Sequence, residues 1–139
     1  MANAPQFVAS VNRGTPASLT AANTSLDGTG ATGRALLFTA GANGSILPSI
    51  RFLHMSTNAT ATVARVFRNN GQDPESAGNN ALIGEITIAV NTLVQTAASI
   101  PYEIQLNVKL AGGANPERIY VTLGTAANIK ATPMNGGDF

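Results

Sequence analysis

The sequence predicts an all-β protein folded as a single antiparallel β-sandwich. Apolar and polar residues alternate with a period of two in several segments, as in strands that bury one face. Turn-forming Gly, Asn and Pro residues separate these segments at roughly regular spacing, and no segment has the 3.6-residue period of an amphipathic helix. A chain of 139 residues is one domain by length. Roughly seven or eight strands of this kind predict a jelly-roll or immunoglobulin-like topology.

The first 34 residues are the part with the weakest strand signal. Phe7 to Val11 is compatible with a short strand, and Thr15 to Gly33 is small and polar (TPASLTAANTSLDGTGATG). Such a segment buries little apolar surface, so its ordering entropy is hard to offset within one chain. We therefore predict either a flexible loop or an extended arm that orders against neighbouring subunits. The predicted division is an arm over 1–34 and a sandwich domain over 35–139.

Strand signals begin after this segment. Ala35 to Ala40 reads as a strand, Gly41 to Gly44 as a tight turn, and Ser45 to Ser56 as a longer returning strand. Pro48 inside that strand predicts a bend, a bulge or an edge position, because proline cannot donate to a strand ladder. Thr60 to Arg68 forms the next predicted strand.

The second half of the chain holds the clearest alternation. Ala81 to Val90 is a predicted strand, and Asn91 to Pro101 is either a short helical turn or a crossing connection between two sheets. Tyr102 to Leu110 and Arg118 to Leu123 both alternate without a break, which predicts a β-hairpin at the centre of the core. A last strand is predicted over Ile129 to Thr132.

Composition narrows the classes of function. The chain is 44% hydrophobic, enough for a core, but only 11% charged, with a net charge of +1. This neutral surface lacks the basic patch of a nucleic-acid binder, so we expect no nucleic-acid partner. The absence of cysteine excludes disulfides. We see no signal peptide and no membrane span, and expect synthesis in a cytoplasm and no membrane partner.

Chemical motifs are few, and each has a structural explanation. Gly28 to Gly33 spells G-x-G-x-x-G, but the helix and the acidic residue that a dinucleotide site requires do not follow. His54 is the only histidine; it supplies too few ligands for a metal, so we expect a packed or rim side chain. Glu85 and Glu103 fall on the solvent-facing sides of their predicted strands. Chance placement of two exposed glutamates explains this better than a catalytic carboxylate pair does. We expect no enzyme activity, no catalytic residue, no cofactor and no metal.

Several arginine residues form the one candidate protein interface in the sequence. Arg51, Arg65 and Arg68 are predicted to cluster on two neighbouring strands, either as solvated side chains, with Glu85 as a partner, or as a polar patch at a protein interface. The full predicted interface set is Phe7, Arg13, Arg34, Arg51, Arg65 and Arg68.

Two stretches and the chain end carry a resemblance to a known group. These are TAGANGSILPSIRFLHMSTN over 39–58, PYEIQLNVKLAGGANPERIYVTLGTA over 101–126, and the final GGDF. These sequences resemble those of small virion proteins of tailed bacteriophages, which are β-sandwich proteins that coat or cement the capsid. The resemblance implies a structural virion protein, made in the host bacterial cytoplasm, that binds the major capsid protein and forms a homotrimer. The resemblance implies no active-site residues in this sequence.

Two rival functions stay open. One is a tail, collar or adsorption component of the virion built on a similar sandwich. The other is a carbohydrate-binding module, which usually displays exposed aromatic rings. This chain has five Phe and two Tyr; Tyr102 lies on the predicted buried face, which leaves Tyr120 as the main exposed candidate.

Overall fold

A computed structural model describes residues 7–139 of the chain, and these residues form an all-β fold. Antiparallel strands build two sheets, which confirms the predicted β-sandwich. One turn of 3₁₀ helix spans Ala77–Asn79, and no helix among residues 7–139 has the length and apolar character to cross a membrane. The strands are β1 (Ser10–Val11), β2 (Ala17–Leu19), β3 (Ala35–Thr39), β4 (Ser45–His54), β5 (Thr62–Asn69), β6 (Asn80–Ile88), β7 (Tyr102–Leu110), β8 (Arg118–Leu123), β9 (Ile129–Met134) and β10 (Gly137–Asp138).

Each sheet is four strands wide. In the first sheet, β4 has β7 on one side and β9 and β10, end to end, on the other, and β2 and β1 form the outer edge. The second sheet has the order β3-β8-β5-β6. Only β1 and β10 are as short as two residues, and the remaining eight strands agree with the predicted seven or eight.

The core lies between the sheets and is filled by aromatic and branched side chains. Phe38, Phe52, Ile50, Ile119 and Leu123 are among those with almost no exposure. Burying each such side chain contributes about 1.5–3 kcal/mol. Since the described chain has no helix to cover a sheet, this single apolar layer is what holds the two sheets together.

The predicted central hairpin is wrong. β7 pairs with β4 in the first sheet, whereas β8 pairs with β3 and β5 in the second, so residues 111–117 cross between the sheets. β7 is an edge strand, and its inward side chains are mostly half-buried. The turn at 41–44 also joins strands of different sheets, β3 and β4, so it does not close a hairpin either. Alternation identifies the faces of a strand but not its partners.

Two other predictions about connections are confirmed. Pro48 lies at a bulge: the register between β4 and β7 shifts there, so that Leu106 and Asn107 both stand opposite this one proline. Residues 89–101 join β6 in the second sheet to β7 in the first, which makes them the crossing connection rather than a helical turn.

The described part of the N-terminal segment lies along the chain's own sandwich. β1 pairs with β10 and β2 with β9, and residues 20–34 then lead to the second sheet. Asn23 N donates to Leu123 O at 2.7 Å, which places the start of this connection beside β8. The division into an arm over 1–34 and a domain over 35–139 stays a prediction, and residues 1–6 lie outside the described part.

Candidate functional site

Three connections meet at one end of the sandwich: residues 55–61, 89–101 and 124–128. They are brought together because the strands that lead into them are in register there, with His54 opposite Ile129 and Thr62 opposite Ile88. None of the residues in these three connections is charged. We call these three connections the uncharged end.

Two of the three basic residues that border the uncharged end are in ion pairs, and the third, Lys130, donates to Ser18 Oγ at 3.3 Å. Arg51 Nη2 lies 3.3 Å from Glu103 Oε2, and Arg65 Nε lies 2.8 Å from Glu85 Oε1. These two ion pairs stand on strands that lead into this end. At the opposite end, by contrast, the connections over 70–79 and 111–117 carry acidic residues. Glu75 and Glu117 there lie within ion-pair distance of Arg34 and Arg68, so the connections of the two ends differ in whether they carry charged residues at all.

Large apolar side chains project from the uncharged end into solvent. The exposed fractions are 52% for Met55, 59% for Val90, 49% for Val94 and 68% for Ile100. Exposed apolar residues gathered without charges are typical of the central part of protein interfaces. The chemistry of this end therefore suits contact with another protein surface.

A buried asparagine holds the three connections together. Asn58 is 8% exposed; its backbone exchanges two hydrogen bonds with Asn91, at 2.8 and 2.9 Å, and its Oδ1 accepts from Asn128 N at 2.9 Å. Its Nδ2 lies 2.6 Å from His54 Nδ1. Because an amide nitrogen can only donate, His54 Nδ1 is the acceptor. Asn58 thus connects all three segments, a role that no sequence motif announces.

Two threonines add further links. Thr62 Oγ1 donates to Thr125 O at 2.8 Å and accepts from Thr125 N at 3.1 Å. Leu93 N donates to Thr57 Oγ1 at 3.0 Å. The three connections therefore support one another before any partner is present.

Of the predicted interface residues, Arg34 is used inside the fold. Its side chain is only 10% exposed, pairs with Glu75 at 2.6 Å, donates to Gly28 O at 3.2 Å, and lies over the Tyr120 ring at 5.3 Å from its centre. These contacts fasten the connection over 20–34 to the second sheet. They also leave Tyr120 only 8% exposed, so the prediction that it displays its ring to solvent is wrong.

The structure does not bring the other three strand arginines together as predicted. β4 carries Arg51 in the first sheet, whereas Arg65 and Arg68 lie on β5 in the second, so their strands follow each other in sequence without being neighbours. Glu85, predicted as a partner for this set of arginines, pairs with Arg65. The side chain of Arg68 is 43% exposed and lies 3.9 Å from Glu117.

Phe7 and Arg13 lie at the outer edge of the first sheet. Phe7 is 78% exposed. Arg13 is exposed and borders a groove of about 490 Å³ whose apolar wall includes Val11, Pro16 and Pro133. These two residues, with Arg68, are the exposed members of the predicted interface set that stand away from the uncharged end.

The remaining motifs are structural. His54 is 7% exposed, as predicted for a packed side chain. Residues 28–33 form a loop with no helix after it, and Asn23 Nδ2 donates to the carbonyls of Thr29, Gly30 and Thr32 at 3.2, 2.8 and 3.0 Å. Across residues 7–139, no three His, Asp or Glu side chains gather in a way that could hold a metal ion.

Two carboxyl groups have lowered pKa values. Hydrogen bonds from the Ser25 and Thr29 side chains, then from the Thr29 backbone, bring the pKa of Asp27 down to about 2. The Ser49 hydroxyl, 2.8 Å away, is the main cause that lowers the pKa of Glu103, with Arg51 adding to it. Both groups stabilise local structure as carboxylates, and neither faces a partner that suggests proton transfer.

Comparisons with known proteins give little guidance. No family model matches the chain, and no curated protein matches it. Among solved structures, a chain of infectious bursal disease virus, Gx strain, has a TM-score of 0.34 at 13% identity, covering 98% of this chain and 35% of that chain. A chain of the Gt strain has a TM-score of 0.29 at 14% identity, covering 98% and 34%. This chain thus spans about a third of theirs, and at such TM-scores the likeness carries no argument.

Proposed function

We propose that the chain is a structural virion protein that decorates and stabilises a bacteriophage capsid through contacts between proteins. The observation that carries the proposal is the uncharged end, where Met55, Val90, Val94 and Ile100 expose apolar side chains on connections that are already held in place. In the proposed homotrimer this end serves contact between subunits, and other exposed residues serve contact with the shell. A protein that binds a lattice needs shape and many weak contacts rather than a reactive group.

The resemblance to virion proteins supports the proposal through its placement in the fold. The stretch over 39–58 contains β4, and the stretch over 101–126 contains β7, which pairs with β4 along most of its length. The final GGDF contains β10, which also pairs with β4, whereas β8 of the second stretch belongs to the other sheet, so the resembling segments contribute to both sheets.

In this proposal the partners are the major capsid protein and further copies of the chain, as a homotrimer in the virion. We assign contact with the shell to the exposed Phe7, Arg13 and Arg68, which stand away from the uncharged end. No nucleic acid, membrane, cofactor or catalytic step enters the proposal. A carbohydrate-binding function is less favoured because Arg34 covers the Tyr120 ring.

The test is co-sedimentation of the purified chain with phage capsids that lack it. Saturation at hundreds of copies per particle supports decoration of the shell. Saturation at a handful of copies favours a tail or collar component instead. No sedimentation with the particles contradicts the proposal, and a glycan array then tests the carbohydrate-binding alternative.

A further inference from the structure

We infer that the uncharged end is the surface through which copies of this chain meet one another. The inference deepens the proposed function, on which the place of the assembly in a capsid rests. The partner that binds this end is a second copy of the chain.

The absence of charge allows this end to contact a second copy of itself. In a symmetric assembly, a residue close to the symmetry axis faces the same residue of another copy, so any charge there meets its own sign. Like charges brought together at an interface oppose association strongly. The connections over 55–61, 89–101 and 124–128 avoid this penalty because they carry no charge.

The opposite end does not meet this condition. Its connections carry Asp73 and Glu75 between β5 and β6, and Glu117 between β7 and β8. Glu75 pairs with Arg34 at 2.6 Å and Glu117 lies 3.9 Å from Arg68, so copies that met through this end would have to desolvate or disrupt these ion pairs. The uncharged end can contact a second copy without that cost.

The exposed side chains give such a contact its driving force. Val94 and Ile100 belong to the connection 89–101, and Met55 lies in the neighbouring connection 55–61. Association removes these apolar side chains from water, and their stiff or compact shapes lose little rotamer freedom, Met55 excepted. The polar residues between them are neutral, so they need hydrogen bonds but no counterions.

The surface is also formed in advance. Asn58 bonds to Asn91 and Asn128, and Thr62 bonds to Thr125, so the connections do not need to order when a copy binds. Prior ordering lowers the entropy lost on association. Association through this end therefore loses less entropy than association through connections that had to order first.

The test compares one lysine at each end of the sandwich. Ile100→Lys places a charge at the uncharged end, whereas Val11→Lys places it at the opposite end, where Val11 pairs with Gly137. The two positions are matched in exposure, 68% and 71%. The association of each variant is measured by light scattering over a range of protein concentrations, and thermal unfolding shows that each is folded.

We expect the wild type and Val11→Lys to form the same oligomer, and Ile100→Lys to associate at least ~10-fold more weakly. Val94→Lys is a second variant at the same end and should behave like Ile100→Lys. A wild type that is monomeric at every concentration overturns the inference. So do folded lysine variants at positions 94 and 100 that associate as tightly as the wild type.

Co-sedimentation with capsids separates this inference from the proposed function. A monomer that still saturates capsids means that decoration stands and the inference fails. An oligomer that Ile100→Lys dissociates, but that ignores capsids, means that the inference stands and decoration fails.

Discussion

Buried asparagine side chains organise the loops of this protein. Asn23 and Asn58 are each 8% exposed; the Asn23 amide donates to several carbonyls of its own connection over 20–34, and the Asn58 amide reaches Asn128 in another connection. An amide both donates and accepts, so one side chain can satisfy groups on several segments without introducing a charge. Because this chain has few charged residues, amide side chains make the links within and between loops that ion pairs make in other proteins.

Asn58→Ala tests this role. The change leaves His54 Nδ1 and Asn128 N without their partner in a buried setting, which costs about 1–3 kcal/mol for each unsatisfied group. We expect a clear loss of unfolding free energy in urea titrations. Asn115→Ala, at an exposed position, is the control and should change stability by less than about 0.5 kcal/mol. Equal stability of the two variants would contradict the role given to Asn58.

Asp27 predicts a dependence of stability on acid. Its pKa is about 2 in the folded chain, below the ordinary 3.8, so the carboxylate contributes stability that is present above pH 3.8 and is lost as the pH falls through about 2. We expect the melting temperature of the wild type to fall more steeply over this window than that of Asp27→Asn. Parallel curves for the two proteins would show that the carboxylate is not stabilised by folding.

Single residues show where sequence patterns stop being informative. The lone histidine was predictable as a packed residue because it follows the inward phase of β4. Tyr120 was predicted on the wet face of β8 and is buried, because the connection over 20–34 brings Arg34 onto its ring. Alternation within one strand carries no information about a segment distant in sequence that covers it.

The paired strands β4 and β7 adapt to a proline by a bulge. Opposite Pro48, Asn107 takes φ +48, a left-handed conformation that asparagine and glycine tolerate best. Asn107→Val should therefore cost about 1–2 kcal/mol of unfolding free energy. Asn107→Gly should be tolerated, and Gln105→Val on the same strand controls for the change in polarity. A valine at position 107 without a stability loss would exclude strain at this bulge.

The connection from β7 to β8 passes very close to the turn at 41–44. A methyl group on Gly112 would clash with Gly41 O and Ala42 O, and would stand 2.5 Å from Gly44 N. Gly112→Ala should destabilise the fold by about 1–3 kcal/mol, as overpacking does. Gly78→Ala is the matched control, since no atom lies within 4 Å of its added carbon. Equal melting temperatures of the two variants would contradict this close approach between residue 112 and the turn at 41–44.

Strand positions were predictable, and strand partners were not. β3 to β9 all begin within a few residues of the segments predicted from alternation and turn residues. The hairpin between β7 and β8 was wrong because both strands have a clean period of two, whichever sheet they join. The partner of β7 is decided by packing of the whole core, in which the paired residues of β4 lie 50 to 65 positions away in sequence.

The whole molecule combines one uncharged end with an opposite end whose connections carry charged residues, among them Glu75 and Glu117 beside Arg34 and Arg68. This asymmetry was not visible in the overall composition, because it depends on three separate segments meeting at one end. Once the fold brings them together, the low charge of the chain becomes a property of one surface. The account of function rests on that surface being used for contact between proteins.

Salt dependence tests this account most directly. The mass of the wild-type protein should be measured by light scattering at about 0.1 M and about 1 M NaCl, where charges are screened beyond ~10 and ~3 Å. Contact through the uncharged end predicts an oligomer, three times the 14.2 kDa chain mass for the proposed trimer, that is as stable or more stable at the higher salt. An oligomer that dissociates at high salt would place the contact on charged surfaces, and a monomer at both would contradict self-association altogether.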